Sequence, residues 1–114
     1  METIIKNAII TSSSIKLDRD YFLSVWLSLR FDSYSQNFGG YVLGKIDEVY
    51  AKDMGNHAGI FIMKCMKVAG VTDWGDVVGK AVRIKTTEGW NAEILGVGHV
   101  VNDEWLIPSE LFGK

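Results

Sequence analysis

Residues 23–31 have the sequence LSVWLSLRF, in which apolar and polar side chains alternate along the whole stretch. The apolar set is Leu23, Val25, Leu27, Leu29 and Phe31, and the alternate set is Ser24, Trp26, Ser28 and Arg30. A period of two predicts a β-strand with one face on a core and the other toward water. Trp26 interrupts the otherwise polar face. A large amphipathic ring at such a position indicates either a second packed layer or a binding surface.

The preceding segment predicts a hairpin partner for this strand. Residues 7–17 are rich in Ile, Thr and Ser and predict a first strand. Four of its side chains are expected to share one face: Ile9, Ser13, Ile15 and Leu17. The aspartates at Asp18 and Asp20 supply turn chemistry, because their side chains bond nearby backbone amides. The chain then returns through residues 21–31, so we expect an antiparallel pair.

A glycine pair marks the segment that follows. Residues 32–37 show no apolar periodicity and predict a loop. Residues 38–44 predict a short third strand in which Gly39 and Gly40 mark a bulge, a bend or the close approach of another backbone. A phosphate-binding loop is the weaker interpretation, because no Gly-Lys-Ser/Thr follows the pair.

The middle of the chain predicts one main helix over residues 56–69, with Asn56 as its cap. Its apolar positions, spaced by three and four residues, are Ala58, Phe61, Ile62, Cys65, Met66 and Ala69. Gly70 suits the left-handed position after the last turn. Thr72 or Asp73 is expected to cap a single further helical turn.

The last third of the chain predicts a second hairpin from residues 80–86 and 91–101, followed by an extended tail over 104–108. Residues 109–112 are expected to cover the core. The predicted fold class is α+β, a mostly antiparallel sheet in the order β-β-β-α-β-β with one main helix packed on the apolar face of residues 23–31. A single globular domain spans residues 1–114 in this interpretation.

Composition excludes several function classes. The chain has 114 residues, 47% of them hydrophobic and 23% charged, which is ordinary for a globular protein. Twelve Lys and Arg against 14 Asp and Glu give a net charge of −2, so no global field attracts nucleic acid. Apolar runs are too short to span a bilayer, and the N-terminus lacks the pattern of a secretory signal. The single cysteine favours a reducing, cytoplasmic setting.

Motifs for catalysis are weak. Cys65 would need a positioned base such as His57 or His99 to act as a nucleophile, and its place on the apolar helix face favours a buried packing residue. His99 is interpreted as a hydrogen-bonded structural histidine. Two histidines without paired cysteines do not make a recognisable metal site. We therefore expect no cofactor, no metal and no enzymatic activity.

An aromatic set larger than a small core requires points to binding. The candidate binding residues are Trp26, Arg30, Tyr34, Tyr41 and Trp90. With Arg83 and Lys85, such a set could form a stacking surface for single-stranded nucleic acid. It could equally form a protein hot spot, and the negative net charge favours a protein partner. A competing interpretation buries Trp26 beneath the segment around Trp105.

Several segments together resemble a family of small uncharacterised phage and prophage proteins. They are residues 23–27 (LSVWL), 36–43 (QNFGGYVL), 69–74 (AGVTDW), 78–83 (VGKAVR), 96–99 (GVGH) and 103–105 (DEW). The resemblance covers residues 8 to 112. It implies an accessory protein that acts in the cytoplasm of a bacterial host by binding a host protein or complex, for example as an anti-CRISPR-like inhibitor of a defence system. The alternative is a nucleic-acid-binding module of phage replication or recombination; self-association stays open.

Overall fold

The computed structural model describes residues 3–45, 57–88 and 92–111. The elements are β1 (Thr3–Asp18), β2 (Phe22–Phe31), β3 (Tyr34–Gly39), β4 (Gly44–Lys45), α1 (His57–Ala69), a 3-10 turn (Trp74–Asp76), β5 (Ala81–Thr87), β6 (Ile94–Gly98), β7 (Trp105–Leu106) and α2 (Pro108–Leu111). The described strands form one antiparallel sheet in the order β3-β2-β1-β5-β6-β7, with β4 also paired to β2. The predicted α+β class is confirmed, and β4 and β7 are short additions to it.

The first hairpin is confirmed, and its turn explains the tight connection. The Asp18 carbonyl accepts a hydrogen bond from the Tyr21 amide at 2.9 Å. Arg19 and Asp20 both have positive φ, at 55° and 56°. Positive φ at both central residues is the type I′ geometry, whose twist matches that of the flanking strands. The turn therefore fixes how β2 pairs back on β1.

A β-bulge in β1 exchanges the faces of its two halves. The register of β1 on β2 shifts between Ile10 and Ser12. One extra residue in a strand moves every later side chain to the opposite face. Ile9 therefore lies on the outer face, and its three predicted companions lie on the inner one: Ser13, Ile15 and Leu17. The prediction that these four residues share a face was wrong.

The third strand covers Tyr34–Gly39, so it begins and ends earlier than the predicted residues 38–44. Tyr34 through Gly39 pair with β2, from Tyr34 opposite Phe31 to Gly39 opposite Trp26. The expected loop over residues 32–37 was therefore wrong beyond the two turn residues, Asp32 and Ser33. The inner positions of β3 include the polar Gln36 and the outer ones are Ser35 and Asn37, so the strand has no regular apolar alternation for its sequence to show.

The core lies between the inner sheet face and α1, as predicted. Val25, Leu27 and Leu29 are fully buried on β2. From the helix, Phe61 is fully buried and its ring stacks on Phe38 with centroids 6.2 Å apart. The helix begins at His57, and the predicted cap Asn56 lies outside the described residues.

The predicted signals after the helix are also confirmed. Gly70 has φ 74°, the left-handed conformation in which helices commonly end. The Asp73 side chain accepts a hydrogen bond from the Gly75 amide at 2.8 Å and caps the 3-10 turn. These caps set the direction in which the chain leaves α1 and approaches β5.

The second hairpin forms with a shorter second strand than predicted. β6 covers only Ile94–Gly98, because the chain turns at His99. The carbonyl of Glu104 accepts a hydrogen bond from the His99 amide at 2.9 Å, which starts the return into β7. Leu111 of α2 packs against the core, in the place expected for residues 109–112, while Phe112 lies outside the described residues.

The sheet curls until its distant strands approach each other. In a flat sheet, β3 and β6 would be roughly 19 Å apart, at about 4.8 Å per strand. Yet the Gln36 side-chain amide donates a hydrogen bond to the Ala92 carbonyl, just before β6, at 3.3 Å. The spatial order β5-β1-β2-β3, with β5 returning through the long connection that contains α1, is that of a Greek key. The inner face of this curled sheet holds the core.

Truncating the centre of the β2 core face should strongly destabilise the protein. We expect Leu27→Ala to lower the free energy of unfolding by about 2 to 5 kcal/mol, because it leaves a cavity in a fully buried site. Denaturant unfolding measures the loss. Val101→Ala is the matched control, since Val101 is 79% exposed and should change little. Equal stability of the Leu27→Ala variant and the native protein would contradict the assignment of this face to the core.

Candidate binding site

Basic residues greatly outnumber acidic residues on the described strands. These strands contain one acidic residue, Asp18, and six basic ones: Lys6, Lys16, Arg30, Lys45, Arg83 and Lys85. The strand registers place all of the basic residues except Lys6 on the outer face. Asp18 is engaged, because it accepts the Ser24 hydroxyl hydrogen bond and lies 4.0 Å from the Lys16 ammonium. The outer face is therefore cationic although the chain as a whole carries −2.

Trp26 stands in the middle of this face and rests on glycine. Its neighbours across the strands are Ser14 and Gly39. A Cβ at Gly40 would fall 2.1 Å from Cζ2 of the indole, and one at Gly39 would fall 2.2 Å from the Val25 carbonyl oxygen. Both glycines have positive φ, 119° at Gly39 and 78° at Gly40. The predicted structural role of the pair is confirmed: only glycine lets the ring and the backbone come so close.

The indole is half-buried, and Trp105 does not cover it. Trp105 pairs with Gly98 at the opposite edge of the sheet, with β1, β5 and β6 lying between the two rings. The competing interpretation, in which the segment around Trp105 covers Trp26, was therefore wrong. The Trp26 indole N–H is buried without a hydrogen-bond partner among the described residues. Since an unpaired buried donor costs about 1 to 3 kcal/mol, packing on Gly40 and not hydrogen bonding sets the position of the ring.

A small polar pocket lies beside the ring. Its volume is about 250 Å³, and the Trp26 indole forms one wall. The other lining residues include Ser12, Ser14, Lys16, Ser28 and Asn37. The Ser28 hydroxyl donates to the Asn37 side-chain oxygen at 2.8 Å. The pocket thus combines an aromatic wall with hydroxyl, amide and ammonium groups, which suits hydrogen bonding to a polar, planar ligand.

Arg30 shares this face with Trp26, whereas Tyr34 does not. Arg30 is exposed and lies between Ile9 and Ser35 in the sheet. Tyr34 is opposite Phe31, so it points to the inner side, where the two rings make an edge contact at 5.1 Å. Tyr34 is 48% exposed, but its surface is separate from that of the outer face.

Tyr41 belongs to the edge of the core. Its ring lies 6.0 Å from that of Phe61 and 6.4 Å from that of Phe38. Burial raises the pKa of the Tyr41 hydroxyl, and the Glu93 carboxylate raises it further. Trp90, the fifth candidate, lies outside the described residues. Among the described candidates, the structure brings only Trp26 and Arg30 to one face.

Trp105 is a functional candidate that the sequence analysis did not select. The Arg83 guanidinium carbon lies 4.9 Å from its ring centroid, and the Lys85 ammonium lies 5.0 Å from it. The ring also lies over Gly98, where a Cβ would fall 2.5 Å from an indole carbon. Aromatic side chains often cover a glycine on the neighbouring strand. This pairing depends on the register of β6 and β7, which no local sequence pattern reveals.

His99 has the structural role predicted for it. Its Nδ1 accepts hydrogen bonds from the amides of Val101 and Asn102, at 3.1 and 3.0 Å. Arg83 supports the same loop, because its Nε donates to the His99 carbonyl at 2.7 Å and its Nη2 donates to the Asn102 carbonyl at 2.9 Å. The imidazole therefore shapes the loop that leads into β7.

The described part of the chain contains few side chains placed for catalysis or metal binding. Burial raises the pKa of the Cys65 thiol to about 12. Such a thiol stays protonated and unreactive at neutral pH. No group of three or more His, Cys, Asp or Glu residues is placed to hold a metal ion within residues 3–45, 57–88 and 92–111. Neither of the helices described has the length and apolar character that a membrane crossing requires.

Comparisons with protein-family models, with curated proteins and with solved structures gave no match.

The ring position of Trp26 should depend on Gly40. We expect Gly40→Ala to lower the free energy of unfolding by at least about 1 to 2 kcal/mol, because φ is positive and the new methyl group displaces the indole. Gly44→Ala is the matched control, since no atom lies within 4 Å of its added Cβ. Both values come from denaturant unfolding. Equal effects of the two substitutions would show that Trp26 does not rest on Gly40.

The Cys65 thiol should be inert in the folded protein. We expect a thiol-specific reagent at about pH 8 to label Cys65 only after unfolding, because the thiol is buried and its pKa is raised to about 12. Cys65→Ser should keep the native binding activity while lowering stability, since it buries a hydroxyl. Rapid labelling of the native protein would contradict this expectation.

Proposed function

We propose that the protein is a non-catalytic binding protein that holds single-stranded nucleic acid on the outer face of β1, β2 and β3. The observation that supports this most is the composition of that face. An aromatic ring stands among hydroxyl and amide side chains, with cations around it, and the one carboxylate on the described strands, Asp18, is already engaged. Proteins that bind single strands combine these features, because bases stack on aromatic rings while cations follow the phosphates.

The position of the face within the fold agrees with this function. The five longer strands, β1, β2, β3, β5 and β6, have a Greek-key order. The OB-fold is a partly open Greek-key barrel of five strands that binds oligonucleotides and oligosaccharides on the face of its second and third strands. Trp26 and Arg30 lie on β2, and Asn37 lies on β3. One architecture hosts many functions, so the ligand is determined by the side chains on this face and not by the fold alone.

The order of side chains along β2 indicates how a single-stranded nucleic acid would lie on the sheet. Lys16 is paired with Ser24, and Arg30 lies six residues further along β2, roughly 20 Å away at about 3.4 Å per residue. Trp26 stands between them. A base against the indole would have phosphates within reach of a cation on each side, while Ser14 and Asn37 hydrogen-bond to its polar edge. Recognition of this kind tolerates many sequences.

A protein partner is the second candidate, and exposed apolar residues on the same face favour it. Ile5 and Ile9 are 55% and 42% exposed there. Apolar side chains beside Trp and Arg are typical of protein interfaces. The resemblance to phage and prophage proteins makes a host defence complex, such as a CRISPR effector, the partner class in this case. Either activity would operate in the cytoplasm of a bacterial host.

Oligonucleotide binding tests the proposal. We expect a fluorescent oligothymidine of about 12 nucleotides to bind at low salt and to lose affinity steeply between about 50 and 200 mM salt. Trp26→Ala should weaken binding by about tenfold, because stacking contributes about 1 to 3 kcal/mol per base. Fluorescence anisotropy titration measures both effects.

Tyr34→Ala serves as the control for this titration. It removes an exposed aromatic ring from the inner side of the sheet and should leave the affinity unchanged. No saturable binding by the folded protein at low salt would contradict the nucleic-acid proposal. Equal losses in the Trp26→Ala and Tyr34→Ala variants would show that the outer face is not the site.

A further inference from the structure

We infer that Arg83, Lys85 and Trp105 form a second subsite on the outer face, which binds a backbone phosphate of the same nucleic-acid strand. This inference rests on the proposed function. With this subsite, the binding surface extends from β2 and β3 across β1 to β5, β6 and β7. The bound nucleic acid would therefore cross the sheet diagonally.

The geometry around Trp105 favours a phosphate over a base. One side of the indole lies against Gly98, and the two cations lie 4.9 and 5.0 Å from its centroid. A base would have to displace these cations to stack on the ring. The ring instead holds both cations in place through cation–π contacts, so two positive charges lie close together.

No ion pair among the described residues neutralises the charge at this subsite. Neither Arg83 nor Lys85 makes an ion pair with a carboxylate in the described part of the chain. Arg83 uses two N–H groups on the carbonyls of His99 and Asn102, and a guanidinium has five such donors. The remaining donors and the Lys85 ammonium are suited to phosphate oxygens.

The sheet register connects the two subsites. Arg30 on β2 is level with Ile9 on β1 and Ala81 on β5, and Arg83 follows Ala81 by two residues on the same face. Two strand spacings separate β2 from β5, or about 10 Å. The cations therefore form a diagonal line from Arg30 to Arg83 and Lys85, which a flexible single strand can follow after leaving the Trp26 pocket.

Oligonucleotides of two lengths test the inference. Oligothymidines of about 5 and about 15 nucleotides are titrated against the native protein and its variants. Lys85→Gln should weaken binding of the long oligonucleotide roughly fivefold at about 0.1 M salt, because each phosphate contact on a single strand contributes about 0.7 to the salt slope. It should leave the short one unchanged, whereas Trp26→Ala should weaken both.

Lys67→Gln is the matched control, because it removes the same charge from an exposed position on α1. Unfolding curves confirm that each variant is folded. If Lys85→Gln has no effect on the long oligonucleotide while Trp26→Ala weakens both, the second subsite is wrong and the proposed function stands. If Lys67→Gln weakens binding as much as Lys85→Gln, the effect is general charge and the subsite is also wrong. If no variant changes either affinity, the proposed function itself fails.

Discussion

A single extra residue in β1, between Ile10 and Ser12, determines how the whole sheet faces the core. Before the bulge, even-numbered residues such as Ala8 and Ile10 are buried; after it, odd-numbered residues share the inner face. The same strand pairs with β5 through its first half and with β2 through its second. Because bulges bend a strand and increase its twist, this position is also where the sheet can curl. Core and outer surface both depend on it.

At two places on the outer surface, a tryptophan ring lies over a glycine. Trp26 lies over Gly40, and Trp105 lies over Gly98. In each case a missing side chain makes room for an indole to lie close to the sheet, where it buries apolar area without a second layer of structure. The two rings differ in their surroundings. Trp26 borders a polar pocket, whereas Trp105 is in contact with two cations.

The sequence predicted those parts of the fold that a regular pattern encodes. The alternation in β2 and the three-and-four spacing in α1 identified the two surfaces that form the core, because burial demands that pattern. The start of β3 was missed, since Ser35 and Asn37 are polar residues on an open face and carry no such signal. The face of Ile9 was missed because the bulge leaves the composition of β1 unchanged.

The candidate site was harder to predict, because it depends on which residues become neighbours. Tyr34 and Trp26 look equivalent as aromatic residues in a sequence. The pairing of Tyr34 with Phe31 nevertheless puts its ring on the inner side, and no local pattern determines that register. Trp105 reaches Arg83 only because β6 presents Gly98 between them.

Net charge is also a poor guide to the local charge of one surface, for a related physical reason. A value of −2 favours a protein partner only if charges are spread evenly over the surface. In this fold the carboxylates of the described residues lie in turns, loops and helical segments, with Asp18 as the exception, while the strands carry cations. At physiological salt, charges interact over about 8 Å, so a ligand on the sheet experiences the local cations and hardly the distant carboxylates. The distribution of charge over the sheet, and not its sum, decides which ligand the outer face suits.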